Sequence, residues 1–191
     1  VGEPFYEKVK DFAMEFKGGR GGVTFAGYSL FFTEGSGIYR GNHLLSNEDI
    51  EKELTQWVSI DYLNWIRDEL ANFLCEKVAK TYTGFVGVDM FVYKQCTIEG
   101  AIEYKINPVV EFNLRMTMGM VARTIYDRCV KKGARGMFTI DHFPPGELLH
   151  DHNVQMEENP IEIEGGRFKK GYFSLCPVTE NTVYRASIVL K

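Results

Sequence analysis

Polar and apolar residues alternate with a period of two through much of the chain, and that period predicts strands. Residues 7–16, EKVKDFAMEF, alternate for most of their length and run into a glycine-rich turn, Lys17 to Gly22. The next stretch, VTFAGYSLFFT at 23–33, is rich in aromatic and β-branched residues and predicts an antiparallel partner for the first strand. Glu34 to Gly37 turn the chain again, and residues 38–45 offer a third, shorter strand or an ordered loop. At Ser46, with Asp49 as a variant capping box, the period changes to that of a helix, and Ile50, Leu54, Trp57 and Val58 share one face. A second helix is expected from about Ser59 to Tyr82. Its stripe of Leu63, Ile66, Leu70, Phe73, Leu74 and Val78 would back a sheet.

Residues 84–115, GFVGVDMFVYKQCTIEGAIEYKINPVVEFNLR, predict two strands. In the first, Val86, Val88, Met90 and Val92 form an apolar row and Asp89 projects the other way. In the second, Val109, Glu111, Asn113 and Arg115 share one face while Val110, Phe112 and Leu114 share the other. If both apolar faces rest on one core, Asp89, Glu111 and Asn113 face a common cleft. After Arg115 comes a third helix, with Met120, Val121, Thr124, Ile125 and Cys129 on one side and Gly133 at its C′ position. Residues 136–143, 167–177 and 182–190 predict further strands. The connection from Pro144 to Gly166 is rich in proline, glycine and acid and reads as a long exposed loop, with His150, Asp151 and His152 within it as loop residues.

The chemistry of the cleft follows from its donors. Carboxylate and amide oxygens suit a hard cation such as magnesium, which is usually held by one or two carboxylates together with substrate phosphates. Asp89, Glu111 and Asn113 are therefore candidate metal ligands, and Arg115 adds a permanent positive charge beside them. The N-terminus of the third helix, around Thr117 to Gly119, would favour an anion in the same pocket. The GGRGG run at 18–22 lacks the G-K-[ST] ending of a phosphate loop and precedes no helix, so it is read as a hairpin turn.

An Asp ending a G-V-D strand, followed about twenty residues on by E-x-N-x-R, resembles the magnesium-binding strand pair in the C-terminal lobe of ATP-grasp ligases. The matching residues are Asp89, Glu111, Asn113 and Arg115. EPFYEKVKDFAMEF at 3–16 is similar to the hinge and first long strand of that lobe, so the resemblance covers about Glu3 to Gly133. It implies an enzyme that uses ATP to activate a carboxylate as an acyl phosphate for attack by an amine or thiol. Magnesium, or manganese in its place, would be held by Asp89, Glu111 and Asn113, with Arg115 catalytic. Glu3 would meet the adenosine side of ATP, and Lys8 and Lys10 lie near enough to the hinge to contact the nucleotide. Tyr39, Arg40, Asn42 and His43 are candidates for substrate contact. The expected architecture is α+β, an antiparallel or mixed sheet packed with helices over residues 1–133, with a β-rich appendage at 134–191. Because the hinge-like stretch comes at the very start, at Val1, a preceding lobe carrying the rest of the nucleotide clamp is expected as a partner. Other readings of the same residues are a non-catalytic binding module of this fold and a metal-dependent hydrolase.

Composition narrows these choices. A chain of 191 residues that is 45% hydrophobic can bury a full core. A net charge of -4 and a pI near 5.6 disfavour a general nucleic-acid binder. The four cysteines, Cys75, Cys96, Cys129 and Cys176, form no C-x-x-C pair, and reduced, mostly buried thiols in a cytoplasmic protein are expected. No apolar run approaches the ~18 residues of a membrane helix.

Overall fold

The computed structural model describes residues 5–33 and 38–191, so Glu3 lies outside the described residues. In chain order the elements are β1 (Glu7–Gly19), β2 (Gly22–Ser29), β3 (Phe31–Thr33), β4 (Tyr39–Leu44), α1 (Asn47–Leu54), α2 (Ile60–Lys77), β5 (Gly84–Cys96) and β6 (Ile102–Asn113). They continue with α3 (Met118–Cys129), β7 (Gly136–His142), α4 (Glu147–Glu158), β8 (Glu162–Glu164), β9 (Arg167–Ser174) and β10 (Tyr184–Leu190). The fold is α+β with antiparallel sheets, as expected from the sequence.

The chain divides into two units. The first comprises residues 1–30 and 47–120 and holds a four-stranded sheet in the order β2-β1-β5-β6. Its core holds most of the predicted residues, but Phe73 of the expected α2 stripe is exposed. Phe12, Met14 and Phe16 of β1 and Val86, Val88, Met90 and Val92 of β5 are all buried, as are Ile50 and Leu54 of α1 and Leu63, Ile66, Leu70 and Leu74 of α2. Each such side chain contributes on the order of 1.5–3 kcal/mol by leaving water. Ser59 caps α2, its hydroxyl accepting from the Tyr62 N–H at 3.2 Å. The helix stops at Lys77, short of Tyr82, and the chain continues in turns that bond back to Leu74 and Val78. The GGRGG run is the β1–β2 hairpin end, with Gly19 opposite Gly22.

The second unit comprises residues 31–46 and 121–191, with a six-stranded sheet in the order β3-β4-β7-β10-β9-β8. The units thus interleave along the sequence, whereas a linear reading puts a boundary at Gly133. The single long partner strand expected at 23–33 is cut at Leu30: Phe31–Thr33 pairs with β4, and β4 pairs with β7 in the second sheet. Residues 144–166 are not a structureless loop, because α4 and β8 form within them. Consequently His150, Asp151 and His152 lie on a helix, where Asp151 Oδ2 accepts from Arg185 at 2.7 Å and His152 Nδ1 meets the Tyr172 hydroxyl at 2.6 Å. Of the expected face of α3 only Met120 is buried; Ala122, Arg123 and Tyr126 take the place of Val121, Thr124, Ile125 and Cys129, with the Arg123 guanidinium held inward by the Leu45 carbonyl at 2.8 Å.

The four cysteines are free, but Cys75 and Cys96 are exposed and Cys129 and Cys176 half-buried, contrary to the expected burial. Among the described residues no helix is long and apolar enough to cross a membrane.

Candidate functional site

Residues directly opposite each other in an antiparallel sheet share a face. The register of the four-stranded sheet therefore places Asp11, Ala13 and Glu15 of β1 on one face with Gly87, Asp89 and Phe91 of β5 and with Glu111 and Asn113 of β6. This is the face opposite the one packed on α1 and α2. Asp89 stands across from Glu111, and Gly87 across from Asn113. The Asp89, Glu111 and Asn113 side chains expected to face one cleft do emerge on one face.

The second strand departs from its expected alternation at one point. Between Asp89 and Phe91 the register on β6 jumps from Glu111 to Asn107, and Pro108, with no N–H to donate, lies in the irregularity. Val109 consequently lines the same groove as Phe112, with Trp65 and Phe73, and does not share the face of Glu111. Val110, Phe112 and Leu114 are exposed instead of resting on the core.

A hydrogen-bonded relay runs through the polar face. Arg115 Nη2 donates to Asn113 Oδ1 at 3.0 Å, and Asn113 Nδ2 donates to Asp89 Oδ2 at 3.1 Å. Burial pushes the Asp89 carboxyl above the usual carboxylate range, and the charge of Glu111 pushes it the same way; the Asn113 hydrogen bond and Arg115 oppose them. Among the described residues no group of three or more His, Cys, Asp or Glu side chains is gathered for a metal. Two carboxylates and an amide are the donors present, which is the sparse set magnesium takes when phosphates complete its shell.

The candidate nucleotide lysines separate. Lys8 lies on the Asp89 side, its ammonium 3.2 Å from Asp11 Oδ1 and 4.6 Å from the centre of the Phe91 ring. Lys10 pairs in register with Val92, on the core side of the sheet, and its ammonium lies 4.0 Å from Glu53 of α1. Tyr39, Arg40, Asn42 and His43 belong to β4 in the second unit, where the Tyr39 hydroxyl donates to Asn42 Oδ1.

One residue of this face escaped the sequence reading. Glu15 is 1% exposed, and its carboxylate accepts from Ser29 Oγ at 3.2 Å and from Thr117 Oγ1, which lies 2.9 Å from each carboxylate oxygen. Thr117 in turn caps α3, its hydroxyl accepting from the Met120 N–H at 2.9 Å. A carboxyl group of the chain itself thus lies beside the first turn of α3, where the sequence led to the expectation of an anionic ligand. Gly119 allows this, because a Cβ there would overlap Glu15 Oε1 and Ser29 Oγ. Gly119→Ala is expected to lower stability by about 1–3 kcal/mol through overpacking, read as a fall in the urea midpoint with an unchanged slope.

Burial raises the Glu15 carboxyl from 4.5 to about 7, against the two hydroxyl donors. Because the folded value is raised, the stabilisation linked to its proton is fully present below pH 4.5 and is lost as pH rises through about 7. The loss amounts to about 3 kcal/mol. Glu15→Gln, which carries no charge at any pH, is expected to flatten this slope, so that the urea midpoints of variant and wild type diverge in the variant's favour between pH 5 and 8.

No protein-family model matches the chain, and no curated protein matches it. In structure it is similar to N5-carboxyaminoimidazole synthetase from Staphylococcus aureus complexed with ADP, at 10% identity and a TM-score of 0.49 over 99% of this chain. It is similar too to N5-carboxyaminoimidazole synthase from Aspergillus clavatus in complex with ADP and 5-aminoimidazole ribonucleotide, at 14% identity and a TM-score of 0.48 over 98% of this chain. A third likeness is to the biotin carboxylase domain of a single-chain bacterial carboxylase, at 10% identity and a TM-score of 0.42 over 99% of this chain. These are ATP-grasp enzymes. The chain spans about half the length of each, 48%, 48% and 44% respectively.

Proposed function

We propose that the chain is the C-terminal catalytic lobe of an ATP-dependent ligase of the ATP-grasp type, joining a carboxylate to an amine or thiol. The observation that carries this reading is the pairing of Asp89 with Glu111 on one sheet face, tied through Asn113 to Arg115. Two carboxylates facing each other repel, and that repulsion is relieved by a divalent cation between them. Asn113 would join them as a ligand by turning its amide, so that the oxygen now held by Arg115 faces the cation.

In that role Asp89 and Glu111 supply the negative charge that holds magnesium with ATP. The magnesium they would hold would supply charge compensation to the phosphates of ATP. Arg115 steadies the phosphoryl group in transit and the oxyanion formed when the amine or thiol attacks. Lys8, on the same face, is the better placed of the two lysines to meet the nucleotide, and Glu3 is assigned to the adenosine end by its motif alone. A preceding lobe would complete the nucleotide clamp and help select the substrates.

Calorimetric titration tests the reading. With the intact protein, preceding lobe included, ATP is expected to bind in the presence of magnesium and to be released by EDTA. Heat-silent titration in both conditions would point to a binding module of the same fold, and phosphate release without ATP would point to a hydrolase.

A further inference from the structure

The ligase reading gives Glu15 no part, although the structure invests heavily in it. A buried carboxyl is costly, and this one is surrounded by hydroxyls and by two glycines whose missing side chains make its room. A Cβ at Gly87 would stand 3.0 Å from Glu15 Oε2 and would collide with the Thr117 methyl. A leucine at position 15 would fill about the same volume without that cost. What the carboxyl adds is its grip on Thr117, 102 residues along the chain.

Thr117 is one end of a short arch between β6 and α3. The other end is Asn113, pinned opposite Gly87. Arg115 sits at the middle, its N–H donating to the Asn113 carbonyl at 2.9 Å and its guanidinium to the Asn113 side chain at 3.0 Å. Without Glu15, Thr117 would keep only its hydrogen bond to the Met120 N–H of α3, so the arch would be held less firmly at that end and the guanidinium could swing further.

We propose that Glu15 is the positioning residue for Arg115: by clamping Thr117 it fixes the Asn113–Thr117 arch and so sets the guanidinium beside Asn113 and Asp89. This rests on the ligase reading, and the effect of Glu15 passes through Arg115.

The experiment measures the affinity of the intact protein, with the preceding lobe that completes the clamp, for magnesium–ATP, and for ADP with magnesium and aluminium fluoride, which mimics the phosphoryl group in flight. The proteins are wild type, Glu15→Ala, Glu15→Gln, Arg115→Ala and the Glu15→Ala/Arg115→Ala double variant. Glu15→Ala is expected to weaken the aluminium fluoride complex by about tenfold and ATP by less than about threefold. In the Arg115→Ala background the same change should cost less than about twofold, because the two act as one unit. Glu15→Gln, which keeps the shape and the hydrogen bonds to Thr117, should restore binding to within about threefold of wild type. Where Glu15→Ala does not fold, Thr117→Val carries the same cycle from the other side of the clamp. Additive losses, or a glutamine variant as damaged as the alanine one, overturn the assignment and leave the ligase reading standing. An intact wild-type protein that binds no magnesium–ATP overturns both.

Discussion

Replacing Glu111 by alanine is expected to lower ATP-dependent ligation by about two to four orders of magnitude while leaving the fold unchanged. The two halves of that expectation have separate grounds. Glu111 is exposed and contributes no packing, so stability should change by no more than about 0.5 kcal/mol. On the ligase reading its carboxylate is, however, one of the two assigned to the cation, and Asp89 alone is already penalised by burial. Steady-state turnover of the intact enzyme, with thermal melting in parallel, makes the measurement. Near-normal turnover in a folded variant would sink the metal assignment of Glu111. On the same ligase reading Arg115→Ala should affect kcat more than the KM for ATP, because the guanidinium would act on charge that develops during transfer.

Arg185→Ala is expected to destabilise the second unit by about 3 kcal/mol, the largest stability effect of any single change considered for it. The guanidinium is only 4% exposed and bonds Asp141 Oδ2 at 2.8 Å and Asp151 Oδ2 at 2.7 Å, joining β10 to β7 and α4. Removing it leaves two carboxylates with no cation between them; both are partly solvated, which keeps the cost below that of a sealed pair. Its Nη1 has no hydrogen-bond partner, so the pair is imperfectly satisfied even in the wild type. Arg185→Lys should recover little, because an ammonium cannot span both carboxylates in the planar geometry of a guanidinium. Denaturant unfolding followed by near-ultraviolet circular dichroism reads both variants; a change below about 1 kcal/mol for alanine would show that solvent already screens the cluster.

The strand pair was legible because a period of two leaves no ambiguity about faces. Val86 to Val92 named the buried side of β5, and the opposite side had to carry Asp89. The same rule failed at Val109, where Pro108 disrupts the ladder and the count of two no longer holds. Glu15 did leave a trace: it is the one charge inside FAMEF, an apolar run whose Phe12, Met14 and Phe16 already account for the core face. The trace could not be completed from local pattern, since its partner Thr117 lies in another part of the chain. Helix α4 was missed because its sequence carries only one buried side chain, Leu148, and proline and acid at its edges imitate a loop. That β3 and β4 would leave β2 for another sheet is a matter of long-range pairing, on which residues 23–45 are silent.

The interleaving of the two units bears on how the chain acquires its structure. β1 has β2 as an early neighbour, but its other edge stays open until β5 exists, with Phe12 meeting Met90. β4 waits longer still, since Gly41 pairs with Thr139. Each wait is a large loop closed before its contacts give any return, and topologies dominated by such closures fold slowly. A chain interrupted near Gly133 would hold β3 and β4 with no β7 to receive them. Their unpaired edges would then be free to find one another in neighbouring molecules.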